Sequence, residues 1–206
     1  MKKSIIILST VIVLVIGLFI ANRLLGNNKV DDGKYLEEYL EKNNYKKDVV
    51  NEEEKYVNIV ESDENDIENV STEDEFNKRR DNKKSVEYIR LFYNPTNKLF
   101  EKYKLSYADD VSSNFYGSID LSKNKKVNFQ YIISIYRSSI MLEGTYELDK
   151  DNEKYDCKLD YQKDLYEDEK ELKEDYCVIA KAEILSFMQD KNEFLNDFRI
   201  RDIIVK

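Results

Sequence analysis

The chain of 206 residues carries 33 Lys and Arg against 42 Asp and Glu, a net charge of −9. A surface this acidic repels phosphates, which argues against nucleic acid and anionic lipid head groups as partners. There is no histidine, which removes Ser/His/Asp and Cys/His catalysis within the chain and the commonest transition-metal ligand.

The first predicted element is an apolar run, Ser4 to Ala21, free of charged side chains. As a helix it spans roughly 27 Å, close to the hydrocarbon core of a bilayer. Lys2 and Lys3 give it the basic start of a secretory signal, but the run is longer than an ordinary signal core. Cleavage after Ala21 or Gly26 would place Phe19 or Leu24 where a small residue is needed. No cysteine follows the run to take a lipid. It is expected to be an uncleaved, single-pass signal-anchor, which places the protein at the cell membrane. Lys2 and Lys3 are nearly balanced by Arg23, Lys29 and Lys34 beyond the run, and the short N-terminal side is expected inside, with the C-terminal part extracytoplasmic. Gly17 and Ala21 are spaced to let two helices approach, a pattern that ordinary lipid-facing residues also produce.

After a polar connector, Asn22 to Asp32, the stretch Gly33 to Asn43 reads as a helix with Leu36, Tyr39, Leu40 and Asn43 on one stripe. Tyr45 to Val50 and Lys55 to Val60 read as short strands. Glu61 to Glu75 is acidic and nearly devoid of apolar residues, and is expected to be a flexible linker. The charge reverses at Lys78-Arg79-Arg80 and Lys83-Lys84, which suits either a phosphate-binding patch or an ion-paired surface.

The membrane run, the YLEEYLEKNNYKKD block and the strand after it resemble small uncharacterised single-pass membrane proteins of Gram-positive bacteria. Tyr39, Leu40, Tyr45, Lys46, Lys47 and Asp48 carry the likeness, with Asn44 standing where those proteins have Gly. It covers residues 1–60 and implies a membrane helix but no activity. The wealth of Lys, Asn, Ile and Tyr fits an AT-rich bacterial genome.

Beyond a domain boundary near Asn82, Ser85 to Tyr93 reads as a strand stopped by Asn94-Pro95, and Thr96 to Lys104 as a short helix. Phe115 to Leu121, Val127 to Tyr136, Ile140 to Leu148 and Tyr155 to Tyr161 are further strands with polar turns between them, the pattern of an antiparallel meander. Glu167 to Met188 has helical period, with Leu172, Tyr176, Ile179, Ala180, Ile184 and Phe187 on one face. Phe198 to Val205 reads as a last strand. The expected fold class is α+β: an N-terminal transmembrane helix, a small helix-strand module, and a meander of five or six strands with a packed helix. The expected division is 1–26 for the anchor, 27–60 for the module, 61–81 for the linker and 82–206 for the sheet domain.

Few residues invite a chemistry. Cys157 and Cys177 read as two buried thiols, with a disulfide the alternative in an oxidising compartment; their spacing suits neither a redox pair nor zinc. Asp149 to Glu153, with Asp160 at the twelfth position, has the alternation of a calcium loop, but Lys154 replaces the sixth-position Gly and a hairpin turn is the better account. Asp109-Asp110 is the one carboxylate pair considered for glycoside hydrolysis. Phosphate-binding glycine loops and nucleophile elbows are absent. Asn94-Pro95-Thr96-Asn97 is internal and reads as a chance likeness to a sorting signal. Asn69-Val70-Ser71 is a glycosylation triplet with meaning only in a eukaryotic secretory route, and the sixteen tyrosines suit half-buried strand positions. No catalytic, cofactor or metal residue is therefore assigned. The expected function is a non-enzymatic, membrane-anchored extracytoplasmic interaction protein whose partner is a protein or an envelope component, with no nucleic acid. The alternatives are a carboxylate-dependent wall-glycan hydrolase and a structural or sensor subunit acting through its membrane helix.

Overall fold

The computed structural model describes residues 31–61, 67–123, 126–135, 138–149, 152–163 and 169–205. Its elements are α1 (Asp32–Lys42), β1 (Lys46–Val50), β2 (Glu53–Val60), β3 (Glu68–Asn69), α2 (Glu73–Asp81), β4 (Val86–Asn94), β5 (Leu99–Ala108), β6 (Val111–Asp120), β7 (Lys126–Ile135), β8 (Ser138–Asp149), β9 (Asn152–Lys163), α3 (Glu169–Phe194) and α4 (Phe198–Val205). The chain divides into two units, Met1–Glu38 and Tyr39–Lys206. In the first, the Asp31 carboxylate accepts the Gly33 N–H at 2.9 Å and Lys34 lies 3.6 Å from Glu38 one turn on.

The second unit holds one sheet in the order β1-β2-β4-β5-β6-β7-β8-β9, every adjacent pair antiparallel. The short β3 adds in parallel to the start of β4, pairing Glu68 with Val86. Two hairpins turn on residue pairs with positive φ, Asn51-Glu52 (52° and 68°) and Asp109-Asp110 (50° and 65°). That backbone form matches the right-handed twist of the flanking strands. Asn and Asp enter it more readily than most residues.

Register sorts the strands into two faces. The inner face presents Tyr93, Phe100, Phe115, Phe129, Tyr131, Leu142 and Tyr146, all buried. Helix α3 lies against it, burying Cys177, Ala180, Ile184, Phe187 and Phe194 on one stripe at helical spacing. Phe187 stacks on Phe100 with ring centroids 5.7 Å apart, and Phe194 meets Tyr39, Tyr45, Tyr93 and Phe100. A disulfide joins Cys157 of β9 to Cys177 of α3, and the Tyr155 hydroxyl donates to the Cys177 carbonyl at 2.6 Å. The reading of two free thiols is thus corrected: register places Cys157 on the face that α3 covers, and the two Cα atoms stand 6.1 Å apart, within bridging reach. At a sequence separation of 20, the bridge contributes about 3 kcal/mol by restricting the unfolded chain. Reduction should lower the urea midpoint accordingly; an unchanged midpoint with thiols proven free would contradict this.

The expected fold class requires correction. Among the described residues no helix is long and apolar enough to cross a membrane, and the longest, α3, carries charged residues throughout. The transmembrane, signal-anchor and single-pass assignments therefore find no support there, and the run Ser4–Ala21 on which they rested lies outside the described residues. What the structure shows is an α+β fold with nine strands and four helices among those residues. The sheet also runs across the expected boundary near Asn82, since β2 pairs with β4.

Three local expectations also change. Thr96 to Lys104 is a turn followed by β5, with the Asn94 and Asn97 side chains accepting the Thr96 and Leu99 N–H groups at 2.9 and 3.1 Å. Phe198 to Val205 is helix α4, begun by the Asp197 carboxylate accepting from the N–H groups of Arg199 and Ile200 and buried through Ile200 and Ile204. The acidic stretch contains β3 and the first residues of α2. Thr72 caps α2 by accepting the Glu75 N–H at 3.2 Å, and Glu75 reaches back to Ser71. Acidic residues fill the first turn and basic ones the last, as the helix dipole favours. Phe76 is the buried residue of α2, packed on the sheet among Val86, Tyr88, Leu105 and Tyr107.

Candidate functional site

Where β1, β2, β4 and β5 meet, the outer face of the sheet mixes charged, aromatic and aliphatic side chains. Register places Lys46, Asp48, Lys55, Val57, Ile59, Arg90, Phe92, Glu101 and Tyr103 there. Lys55 donates to Glu101 at 2.7 Å, both side chains over nine-tenths buried, and the Tyr116 hydroxyl donates to the other Glu101 oxygen. Burial first, and then the Glu101 charge, push the Tyr116 hydroxyl well above the ordinary tyrosine range. This pair is saturated.

Arg90 is not. Its guanidinium carbon lies 5.1 Å from the ring centre of Phe92 and 6.0 Å from that of Tyr88, its neighbours two residues on and two back on the same face. The Asp48 carboxylate stands 3.7 Å from it, beyond hydrogen-bond length. Its Nε is buried without an acceptor among the described residues. Beside it opens a cleft of about 450 Å³ whose lining includes the apolar Val57 and Ile59, the cations Lys46, Lys47 and Arg90, and the single anion Asp48. Lys47 is held by Glu54 at 3.0 Å, whereas Lys46 makes no ion pair among the described residues. The volume lies in the range of ligand sites, and the mixture of an apolar wall with a few convergent polar groups is what such sites require.

A second cluster of charge lies between the inner face and α3. Lys102 donates to Asp190 at 2.7 Å and to Ser186 at 3.0 Å; Lys104 bridges Glu87 at 2.9 Å and Glu183 at 3.1 Å. Burial pushes the Asp190 carboxyl up against the pull of Lys102. Each ammonium is already matched to a carboxylate, so the cluster fastens helix to sheet and leaves no poised acid and base.

The residues singled out by sequence fall elsewhere. Asp109 and Asp110 form a hairpin turn, where Asp110 accepts from Tyr107 at 2.9 Å and lies 3.4 Å from Lys83. Those contacts give Asp110 a structural use in the turn. Arg79 and Lys84 both grip Glu68, at 2.9 and 3.1 Å, so the basic run is ion-paired. Asp149 and Asn152 face each other at the end of the β8–β9 hairpin and Glu153 pairs with Lys181, while Lys150 and Asp151 lie outside the described residues. Among the described residues no three His, Cys, Asp or Glu side chains gather to hold a metal. Asn69 lies in β3, and Ser71 is bound to Glu75. Arg90 was missed: its signal was a lone cation between aromatic residues in SVEYIRLFY. Lys46, Lys47 and Asp48 belong to the block that carries the resemblance. No protein-family model, curated protein or solved structure matches this chain.

Proposed function

We propose that this protein is a non-catalytic, extracytoplasmic interaction protein that binds a partner through the cleft of β1, β2 and β4. The observation that carries the reading is a cleft of ligand-site size whose buried Arg90 donor lacks an acceptor among the described residues. The Cys157–Cys177 disulfide supports an oxidising compartment, since such bridges persist outside the cytosol and are rare within it. The saturated charge pairs elsewhere favour structural roles for the remaining acidic residues.

The test is a photo-crosslinking residue placed at Ile59, which lines the cleft and is about half exposed, against one at Val178 on the open side of α3. In native envelopes Ile59 should give a discrete adduct that Val178 does not. Equal adducts at both positions, or none at Ile59, would remove the reading.

A further inference from the structure

We infer that the occupant of this cleft is an acidic, partly aliphatic peptide segment of a partner protein, with Arg90 and Lys46 receiving its carboxylates. The inference rests on the binding role proposed above and specifies its ligand. The chain as a whole is acidic, yet the cleft brings three cations and one carboxylate together. An acidic partner is repelled by most of this surface and accepted at one place, which confines docking to the cleft.

The unfilled valences define the ligand's chemistry. Among the described residues Arg90 Nε is buried without an acceptor and Lys46 has no carboxylate partner. A buried donor left unpaired is costly, so a ligand oxygen placed there removes a penalty as well as adding a bond. Tyr88 and Phe92 hold the guanidinium between them, so little side-chain freedom remains to be lost on binding. Asp48, at 3.7 Å, partly balances Arg90 without closing a hydrogen bond, and a better-placed carboxylate can displace it. Val57 and Ile59 add apolar wall beside these donors, which suits an aliphatic side chain next to an acidic one. Strand β1 is the edge of the sheet, so an extended chain can lie along it with alternate side chains turned to the outer face. Free phosphate has no use for the apolar wall, and an anionic membrane meets a protein of net charge −9.

The full chain is titrated with a fluorescent peptide of alternating Glu and Leu, and with its Gln counterpart. The acidic peptide should bind about tenfold more tightly or better, and should weaken as salt rises from about 50 to about 500 mM. Lys46→Glu and Asp48→Asn change exposed side chains; the first should weaken binding and the second strengthen it, each by about fivefold, the scale expected of one charge beside the ligand. Arg90→Lys keeps the charge but removes the Nε donor, and should lower the preference for Glu over Gln with the thermal melt unchanged. Equal affinity for the two peptides, indifference to Lys46→Glu and Asp48→Asn, or competition by inorganic phosphate or phosphatidylglycerol vesicles as effective as unlabelled peptide would overturn it. If the Ile59 adduct persists while acidic peptides fail to bind, the ligand assignment falls and the binding role stands; if both are lost, the binding role falls with it.

Discussion

Replacing Phe187 by alanine lowers the stability of the fold by about 3–5 kcal/mol, the cost of removing a fully buried aromatic side chain and leaving a cavity. Phe187 is wholly buried, lies nearly parallel to Phe100, and meets Phe115 obliquely with centroids 6.5 Å apart. It joins α3 to β5 and β6 at once, so the surrounding walls belong to different elements and cannot close together. Gly117 of β6 is part of the same joint. A Cβ built there would stand 3.0 Å from Phe187 and 2.9 Å from Phe115, closer than side chains tolerate. Gly117→Ala is therefore destabilising by itself, and its cost should fall in the Phe187→Ala background because one of the two opposing rings has gone. Urea unfolding of the single and double variants, with the disulfide intact, measures this coupling. A loss under about 1 kcal/mol for Phe187→Ala would show that α3 does not depend on this contact.

The strands that were readable from sequence are those whose inner and outer faces differ in polarity. In β7, Val127, Phe129, Tyr131 and Ile133 are buried while Lys126, Asn128 and Gln130 are exposed, and this alternation is visible without a structure. Strand β5 breaks the rule because its inner face carries Lys102 and Lys104 beside Phe100. Charged residues at core positions erase the alternation, and Leu99, Phe100 and Tyr103 then imitate a helix. In α2 the failure is of another kind. Phe76 is its only apolar anchor, so periodicity has nothing to register, and the helix is written instead in the Thr72 cap, the returning Glu75 and the reversal of charge from Glu73 to Arg80. In α3 the tilt of the stripe was off by a fraction of a turn: Ile179 is half exposed, whereas Cys177 and Phe194 complete the buried line. The cleft was the least legible feature. Lys46, Arg90 and Ile59 are distant in sequence, and only the β1-β2-β4 register brings them to one face. The overall charge pointed away from an anionic partner because a net count cannot report three cations gathered at one edge.

Lys104→Met should cost about 3–5 kcal/mol, the range for breaking a buried ion pair by removing one partner. Two carboxylates depend on this ammonium: Glu87, almost wholly buried, and Glu183 of α3. Glu87 already has one oxygen without a partner among the described residues, so losing Lys104 strands its whole carboxylate between sheet and helix. Replacing all three residues by apolar ones of similar size should recover most of the loss, because the cost lies in the unpaired charges rather than in the space they occupy. The pH dependence follows from the same contacts. Burial would lower the Lys104 pKa, but the charges of Glu183 and Glu87 and the hydrogen bonds to them outweigh it, and the folded value lies above the ordinary 10.5. The stabilisation is thus fully present below pH 10.5 and is lost as pH rises through the raised folded pKa. Buried Tyr93 and half-buried Tyr155, both raised to about 12, also destabilise the fold at alkaline pH. They are common to both proteins, so the quantity to measure is the difference between wild type and Lys104→Met at matched pH. That gap should be constant from neutral pH to about 10 and shrink above it. A gap independent of pH up to 12 would mean that Lys104 contributes through packing, whereas a gap that closes assigns it to charge.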